Sequence, residues 1–272
     1  MTSFERQQRI ISLLREQPGM KIPDLAKQLD VSQGTIRNDL DALEQAGHLS
    51  RVRGGAILRD ERQFLSPSFA ARALVNADKK QRIARAAAEL VEDGDSIILD
   101  ASTTVFAMVP FLKKYRNLTI VTNGITMGKA LSENSSHTVI LIGGVIRAFT
   151  DSVSGHLSEE VLDRLHVKTA FVSCSGISLE AGLTEVDIHQ IDVKRKMIRS
   201  ADRVVALVDS SKFNKVDLSS FASIAELSQI ITDADIPAEY YEQFKRNCTV
   251  LTVCAANSTS SLNPCGADGA SR

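Results

Sequence analysis

Val31-Ser-Gln-Gly-Thr-Ile-Arg-Asn-Asp-Leu-Asp-Ala-Leu-Glu-Gln-Ala-Gly47 is the stretch on which the reading of this chain turns. Ser32 is of the type that caps a helix N-terminus. Behind it, Ile36, Leu40, Leu43 and Ala46 recur at helical spacing and leave Gln33, Thr35, Arg37 and Asn38 on the outward face. Gly47 stands where a glycine ends a helix. Upstream, Ile22, Leu25, Ala26 and Leu29 mark a shorter helix, and Asp30-Val31 makes a tight turn. The pattern predicts a helix-turn-helix whose second helix offers small polar and basic side chains to base edges. Ser32, Gln33, Thr35, Arg37 and Asn38 are the expected DNA-facing residues.

A polar-faced amphipathic helix is generic by itself, so the flanking sequence matters. A helix from about Phe4 to Gln17 precedes the pair, with Phe4, Ile10, Ile11, Leu13 and Leu14 as its core contribution. His48 to Ile57 reads as a strand, a glycine turn and a returning strand. That is a wing, with Arg51 and Arg53 placed to meet phosphates beside the groove. The pattern Val31-Ser-x-x-Thr-Ile-Arg-x-Asp-Leu40, then Leu43-x-x-x-Gly47, then Arg51-x-x-Gly-Gly-Ala56, resembles the DeoR-type bacterial transcriptional regulators.

At 272 residues the chain exceeds the usual size of a single core, and 43% hydrophobic content is ample for two. Bulk charge says little. The first 59 residues hold nine Lys or Arg against seven Asp or Glu, a net of +2, so DNA affinity must come from where Arg37, Arg51 and Arg53 sit. No apolar run approaches the ~18 residues needed to cross a membrane. The N-terminus lacks a signal peptide's apolar region, so a cytoplasmic protein, on the nucleoid when DNA-bound, is expected. Cys174, Cys248, Cys254 and Cys265 form no Cys-x-x-Cys pair and have no His at zinc spacing. Buried reduced thiols are the expectation for the first three. Neither a metal nor a cofactor is expected.

The sequence thus predicts an α/β protein with an N-terminal winged helix-turn-helix at 1–57 and a linker at 58–78, containing at most a short helix. A mostly parallel-sheet domain at 79–254 and a disordered Ser/Ala/Asn/Gly-rich tail at 255–272 complete it. Apolar runs at 96–99, 119–122, 138–142, 169–173, 204–208, 229–232 and 249–253 read as strands. Several are apolar throughout, the mark of strands buried on both faces. Helical segments separate most of them, for example 105–114, 124–131 and 188–200.

The loops at the ends of those strands are the second informative feature. Asp100-Ala-Ser-Thr-Thr104, Thr122-Asn-Gly124, Gly143-Gly144 with Arg147 behind it, and Asp209-Ser-Ser-Lys-Phe213 each come after a different strand. Open α/β sheets bind ligands outside their carboxyl ends. Hydroxyls and free N–H groups at a helix start suit a phosphate, and Lys212 would supply the countercharge. The plainer reading of any one loop is that its Ser, Thr, Asn and Gly only cap helices and make turns. Four converging loops favour a phosphorylated or polyhydroxylated ligand.

The second half also resembles the effector domain of DeoR-type regulators, through Thr122-Asn123, Gly143-Gly144, Gly182-Leu-Thr-Glu185 and Asp209-Ser-Ser-Lys-Phe213. The resemblance spans roughly Phe4 to Val253. It implies a fold like that of ribose-5-phosphate isomerase, and a pocket for a phosphorylated sugar that weakens operator binding. Carried over by motif, the pocket is Asp100, Ser102, Thr103, Thr104, Thr122, Asn123, Gly143, Gly144 and Lys212, with Arg147, Asp209 and Glu185 as further candidates. The expected partners are double-stranded operator DNA, a phosphorylated sugar effector and further copies of the chain, as a homodimer or homotetramer. The alternative is a working sugar-phosphate isomerase with an appended DNA-binding domain, using Lys212, Asp209 and Glu185 for proton transfer. The complete DNA-reading module weighs against it, as does the lack of an acidic cluster dedicated to a general base. The expectation is a regulator without catalytic residues.

Overall fold

The computed structural model describes residues 2–16, 19–45, 48–52, 55–58, 69–133, 136–147, 150–247 and 250–255. Arg53, Gly47, Cys248, Cys265, residues 59–68 of the expected linker and residues 256–272 of the expected tail lie outside the described residues. Among the described residues, no helix is long and apolar enough to cross a membrane.

The N-terminal unit is built from α1 (Ser3–Glu16), α2 (Ile22–Leu29), α3 (Gln33–Gln45) and the antiparallel strands β1 (Leu49–Val52) and β2 (Gly55–Leu58). Pro23 sits in the first turn of α2, where its missing N–H costs nothing. Asp30 ends α2 in the left-handed conformation (φ 52°), and its N–H returns to the Ala26 carbonyl. Ser32 then caps α3, its Oγ accepting from the Thr35 N–H at 3.1 Å. Ile10, Leu14, Leu25, Ile36, Leu40 and Leu49 close one core beneath these elements. Gly55 makes that closure possible: a Cβ there would lie 2.5 Å from the Met20 carbonyl oxygen, so only glycine lets β2 approach the α1–α2 turn.

The larger unit begins with α4 (Phe69–Leu74) and α5 (Ala77–Ala88), so residues 69–78 of the expected linker are helical apart from a short turn. It continues through β3 (Ser96–Leu99), α6 (Thr103–Phe106), α7 (Val109–Leu112), β4 (Thr119–Thr122), α8 (Ile125–Ser132) and β5 (Thr138–Leu141). A hairpin of β6 (Val145–Arg147) and β7 (Ser152–Ser154) leads into α9 (His156–Leu162) and β8 (Val167–Val172). The strands β9 (Gly176–Ser178) and β10 (Gly182–Glu185) precede α10 (Ile188–Arg199) and β11 (Ala201–Leu207). The chain then runs through β12 (Ser219–Ala222), β13 (Gln229–Asp233), α11 (Ala238–Asn247) and β14 (Leu251–Cys254).

Seven of these strands form one all-parallel sheet in the order β14-β13-β11-β8-β3-β4-β5. Ile97, Leu99, Ile120, Phe171, Val205 and Ile231 meet Ile83, Ala84, Ala87 and Met108 on one face. Ile98, Val121 and Ala170 meet Val193 and Met197 of α10 on the other. Both faces are covered, which is why these strands read as continuous apolar runs. The expected helix at 105–114 is instead the two short helices α6 and α7, with Pro110 in the first turn of α7. Proline cannot donate to the preceding turn, so one continuous helix is not available there.

Strand order reverses at β3: the chain goes outward to β4 and β5, then returns through β8 on the other flank. The crevice outside the carboxyl ends of β3 and β8 is therefore the switch point of the sheet, where ligands bind in open α/β folds.

Candidate functional site

On the DNA-reading unit, Ser32, Gln33, Arg37 and Asn38 are exposed and Thr35 is half-buried. Asp39 faces the other way. It is 3% exposed and accepts from Arg6 Nη2 at 3.1 Å and Ser3 Oγ at 3.2 Å, clasping α3 to α1. The charged bond to Asp39 raises the Arg6 pKa. Arg51 is half-buried on β1, its guanidinium ion-paired to Asp41 of α3, and its N–H donates to Glu44 Oε1 at 2.8 Å.

At the switch point of the sheet, Asp100 comes directly after β3 and is fully buried. Its Oδ1 accepts from the Ser102 N–H at 3.1 Å and its Oδ2 from the Ser173 N–H at 3.0 Å, which locks the β3 and β8 ends together. Lys194 of α10 reaches the same point. Its Nζ lies 3.2 Å from Asp100 Oδ2, donates to Glu185 Oε2 and the Ser173 carbonyl at 2.7 Å each, and sits 5.0 Å from the Phe221 ring centroid. Burial alone would lower the Lys194 pKa, but the two carboxylates outweigh it and hold the ammonium above its ordinary value. Burial would likewise raise Glu185; Lys194, Ser175 and the Val186 N–H pull it below 4.5 instead.

Above this cluster a cavity of about 850 Å³ opens. Its wall carries Arg72, Lys80, Arg147, Lys194, Lys212 and Lys215 against the carboxylates Glu185, Asp187, Asp209 and Asp217. Most of those carboxylates are already engaged. Glu185 is held by Lys194, Asp209 accepts from Asn76 Nδ2 at 3.1 Å and from Ser211, and Asp187 caps α10 through the His189 N–H at 3.0 Å. The cations are engaged less: among the described residues the Lys212 and Arg72 side chains form no ion pair, and the Nε and Nη2 of Arg72 and the Nε of Arg147 are buried without a hydrogen-bond partner. Lys80 is buried, its Nζ donating to the Arg72 carbonyl. Burial pushes it down to about 8, Asp209 opposing and Lys212 and Arg72 adding to the shift. The arrangement suits an anion with hydroxyls, because buried donors left unpaired are costly and a multivalent acceptor satisfies several at once.

Of the residues expected at a pocket, Ser102, Thr103, Thr104 and Lys212 line this cavity, as do Arg147, Asp209 and Glu185. Ser102 caps α6, its Oγ accepting from the Val105 N–H at 3.2 Å. Asp100, Thr122 and Asn123 are fully buried beneath the lining. Asn123 accepts from the Ala101 N–H at 2.9 Å and donates to the Val153 carbonyl and Gln190 Oε1, so it ties β4 to β3, β7 and α10. Thr122 Oγ1 accepts from the Gly124 N–H at 3.0 Å. Gly143 and Gly144 are not part of the lining. Gly144 has φ 141°, and a Cβ there would lie 2.6 Å from the Ser154 carbonyl oxygen, so glycine at 144 is required by the β6–β7 hairpin and the seating of α9, whereas a Cβ at Gly143 would meet open space. Sequence reasoning missed Arg72, Lys80 and Lys194. The two lysines had a signal: each occupies the stripe of its helix that is otherwise apolar, Lys80 with Ile83, Ala84 and Ala87, Lys194 with Ile191, Met197 and Ile198.

Comparison with known proteins accounts for both units. Residues 6–62 match the DeoR-like helix-turn-helix domain and residues 75–234 match the DeoR C terminal sensor domain. The chain is 35% identical over 246 residues to the HTH-type transcriptional regulator GolR of Listeria innocua, covering 90% of this chain and 96% of that one. It is 28% identical over 254 residues to the glycerol-3-phosphate regulon repressor of Escherichia coli, covering 93% of this chain and all of the relative. Among solved structures, ribose 5-phosphate isomerase A from Methanocaldococcus jannaschii aligns over 51% of this chain and 55% of its own, at 18% identity and TM-score 0.38. With an exposed helix-turn-helix at one end of the sequence and a cation-rich cavity at the switch point of its sheet, the chain belongs to the DeoR family of DNA-binding transcriptional regulators.

Proposed function

We propose that this regulator represses a carbohydrate-catabolism operon and leaves its operator when a phosphorylated sugar or polyol fills the cavity at the β3–β8 switch point. The observation that carries the proposal is the charge imbalance of the wall, where Arg72, Arg147 and Lys212 stand without carboxylate partners among the described residues. Phosphate supplies the acceptors those donors need, and the sugar hydroxyls have Ser102, Thr103, Thr104 and Asp209 to meet. The name of the Escherichia coli relative ties that protein to a phosphorylated polyol, the chemistry that this wall suits. Operator reading is assigned to Ser32, Gln33, Thr35, Arg37 and Asn38, with Arg51 and Arg53 on the backbone. A homodimer or homotetramer is inferred, because one helix-turn-helix reads only a few base pairs.

Catalysis is disfavoured by the state of the carboxylates. Glu185 is drawn below its ordinary pKa by Lys194 and hydrogen-bonded to Ser175, which makes it a poor proton acceptor near neutral pH. The test is an operator-binding titration of wild type and Lys212→Ala with and without glucose 6-phosphate, fructose 6-phosphate and glycerol 3-phosphate. Loss of a charge-assisted contact of roughly 1.5–3 kcal/mol should weaken the response about 10- to 150-fold, with ligand-free operator affinity intact. A Lys212→Ala protein that responds as wild type does would remove this cavity as the sensing site. Interconversion of the aldose and ketose phosphates by the wild type would favour the enzyme.

A further inference from the structure

Arg72 is placed differently from every other cation of the cavity. It belongs to α4, the first described element after the wing strand β2 in the chain, whereas the other five come from α5, the β6–β7 hairpin, α10 or the loop after β11. Its Nε and Nη2 atoms are buried without a hydrogen-bond partner, and no carboxylate among the described residues lies within ion-pair distance. Burial lowers its pKa, and Glu185, Asp100, Asp151 and Asp187 offset this only through space. The helix that carries it lies at the surface. None of its residues is buried, Leu74 directly after Arg72-Ala73 is 81% exposed, and Val75 is 60% exposed. Contacts that dock it include the edge-to-face pair of Phe69 with Phe106, at 5.3 Å between ring centroids, and the bond from Lys80 Nζ to the Arg72 carbonyl.

We propose that Arg72 is the coupling residue of the sensor: a bound phosphate is gripped by its guanidinium, and that grip fixes α4, and so the start of the segment leading to the DNA-binding unit, against the cavity. The inference rests on the reading of the cavity as the effector site. The side chains of α4 leave the helix half-exposed, while the Nε and Nη2 donors of its guanidinium are unspent. A phosphate accepts from both the Nε and the Nη2 of an arginine in a forked geometry that lysine cannot reproduce. Filling the cavity therefore adds charge-assisted bonds to α4. A ligand that bonds α4 in one arrangement only must shift the population toward it. The other cations hold the ligand; Arg72 reports it.

The test uses the full-length protein, an operator fragment selected by the wild type from random duplexes, and glucose 6-phosphate, glycerol 3-phosphate and inorganic phosphate as probes. Arg72→Met and Arg72→Lys are compared with Lys212→Ala in three measurements. The first is ligand-free melting. Removing an unpaired buried guanidinium should leave the Tm of Arg72→Met unchanged or raise it; a clear fall would mean that Arg72 is structural and would overturn the proposal. The second is probe affinity by calorimetry, expected to weaken roughly 10- to 100-fold in Arg72→Met and to be partly recovered in Arg72→Lys. The third is operator affinity at saturating probe. Arg72→Met, once saturated, should hold its operator within about threefold of its ligand-free affinity, whereas wild type releases it by its full coupling factor. Release at saturation equal to that of wild type would overturn the coupling role even if affinity had dropped. Should wild type itself respond to no probe, the cavity reading fails and this inference with it; should wild type respond, Lys212→Ala fail to and Arg72→Met behave as wild type, only the inference about Arg72 falls.

Discussion

Lys194, Asp100 and Glu185 form a buried charge cluster whose balance sets the floor of the cavity. One ammonium lies 3.2 Å from Asp100 and 2.7 Å from Glu185, and all three residues are 9% exposed or less. Removing the cation alone leaves two buried carboxylates without a partner, which typically costs about 3–5 kcal/mol. Lys194→Met is therefore expected to lower the sensor-domain melting transition by roughly 6–20 °C in scanning calorimetry. A shift below about 2 °C would mean that the carboxylates escape to water. The acid limb has a definite sign. Glu185 is held below its unfolded value of 4.5, so its contribution is present above that pH and is lost as pH falls through the folded value. Lys194→Met should flatten that limb in acid-unfolding curves. Lys80 behaves in the opposite sense. Its folded pKa of about 8 lies below the ordinary 10.5, so the unfolded chain holds the extra proton and ligand-free stability rises between those two pH values. An anion in the cavity favours the charged lysine. Ligand binding at pH 8 should therefore take up a fraction of a proton, at most about half, as seen by calorimetry in buffers of different ionisation enthalpy. Lys80→Met should abolish the uptake, and an unchanged uptake would place the titrating group elsewhere.

At the scale of elements, α3 and the wing share one charge arrangement. The outward side chains of α3 are Gln33, Arg37 and Asn38, while Asp39 turns inward to α1 and Asp41 turns to the wing, where it pairs with Arg51. Both members of the latter pair are substantially exposed, at 31% and 52% of their side chains, so the pair contributes at most about 1 kcal/mol to stability. If Arg51 meets a phosphate, as proposed, it does so by giving up Asp41. Asp41→Ala is expected to raise affinity for random and operator DNA alike, by releasing Arg51 and removing a like charge beside the backbone. Arg51→Ala should lower both affinities and reduce the slope of log affinity against log salt by about one. Fluorescence-anisotropy titrations from low to moderate salt read both effects. Operator preference that changes while random-DNA affinity stays constant would instead make Arg51 a base reader. The structure also separates what was legible here from what was not. The spacing of Ile36, Leu40 and Leu43 located the buried face of α3, but the burial of Asp39 depends on Arg6 thirty-three residues earlier, which no local period reveals.

For the whole molecule, the seven-stranded parallel sheet was legible because strands covered on both faces must be apolar in runs, as at Ile97-Ile98-Leu99 and Val204-Val205-Ala206-Leu207. The strands β6, β7, β9 and β10 were not, because three or four residues are too few to carry a period of two. Motif order located Ser102, Thr104 and Lys212 on the cavity wall, but it could not separate them from Asn123, whose amide is spent on holding β3, β7 and α10 together. Arg72 carried no signal at all, since it lies in a segment that composition marks as a linker and its place on the wall emerges only when the chain returns through β8 and β11 to complete that wall. That cavity and the helix-turn-helix lie on one chain, and thermodynamics then constrains both. If an effector weakens operator binding by some factor, operator must weaken effector binding by the same factor, whatever path the coupling takes. A typical coupling of about 1–3 kcal/mol corresponds to roughly 5- to 150-fold. The check is two independent titrations, operator against effector-saturated protein and effector against operator-saturated protein. Equal factors within about threefold are the expected result, and Arg72→Met should shrink both together. Unequal factors would mean that a third equilibrium, such as a change in the number of subunits on the operator, is linked to binding; they would then depend on protein concentration, which two-state coupling at a fixed assembly does not.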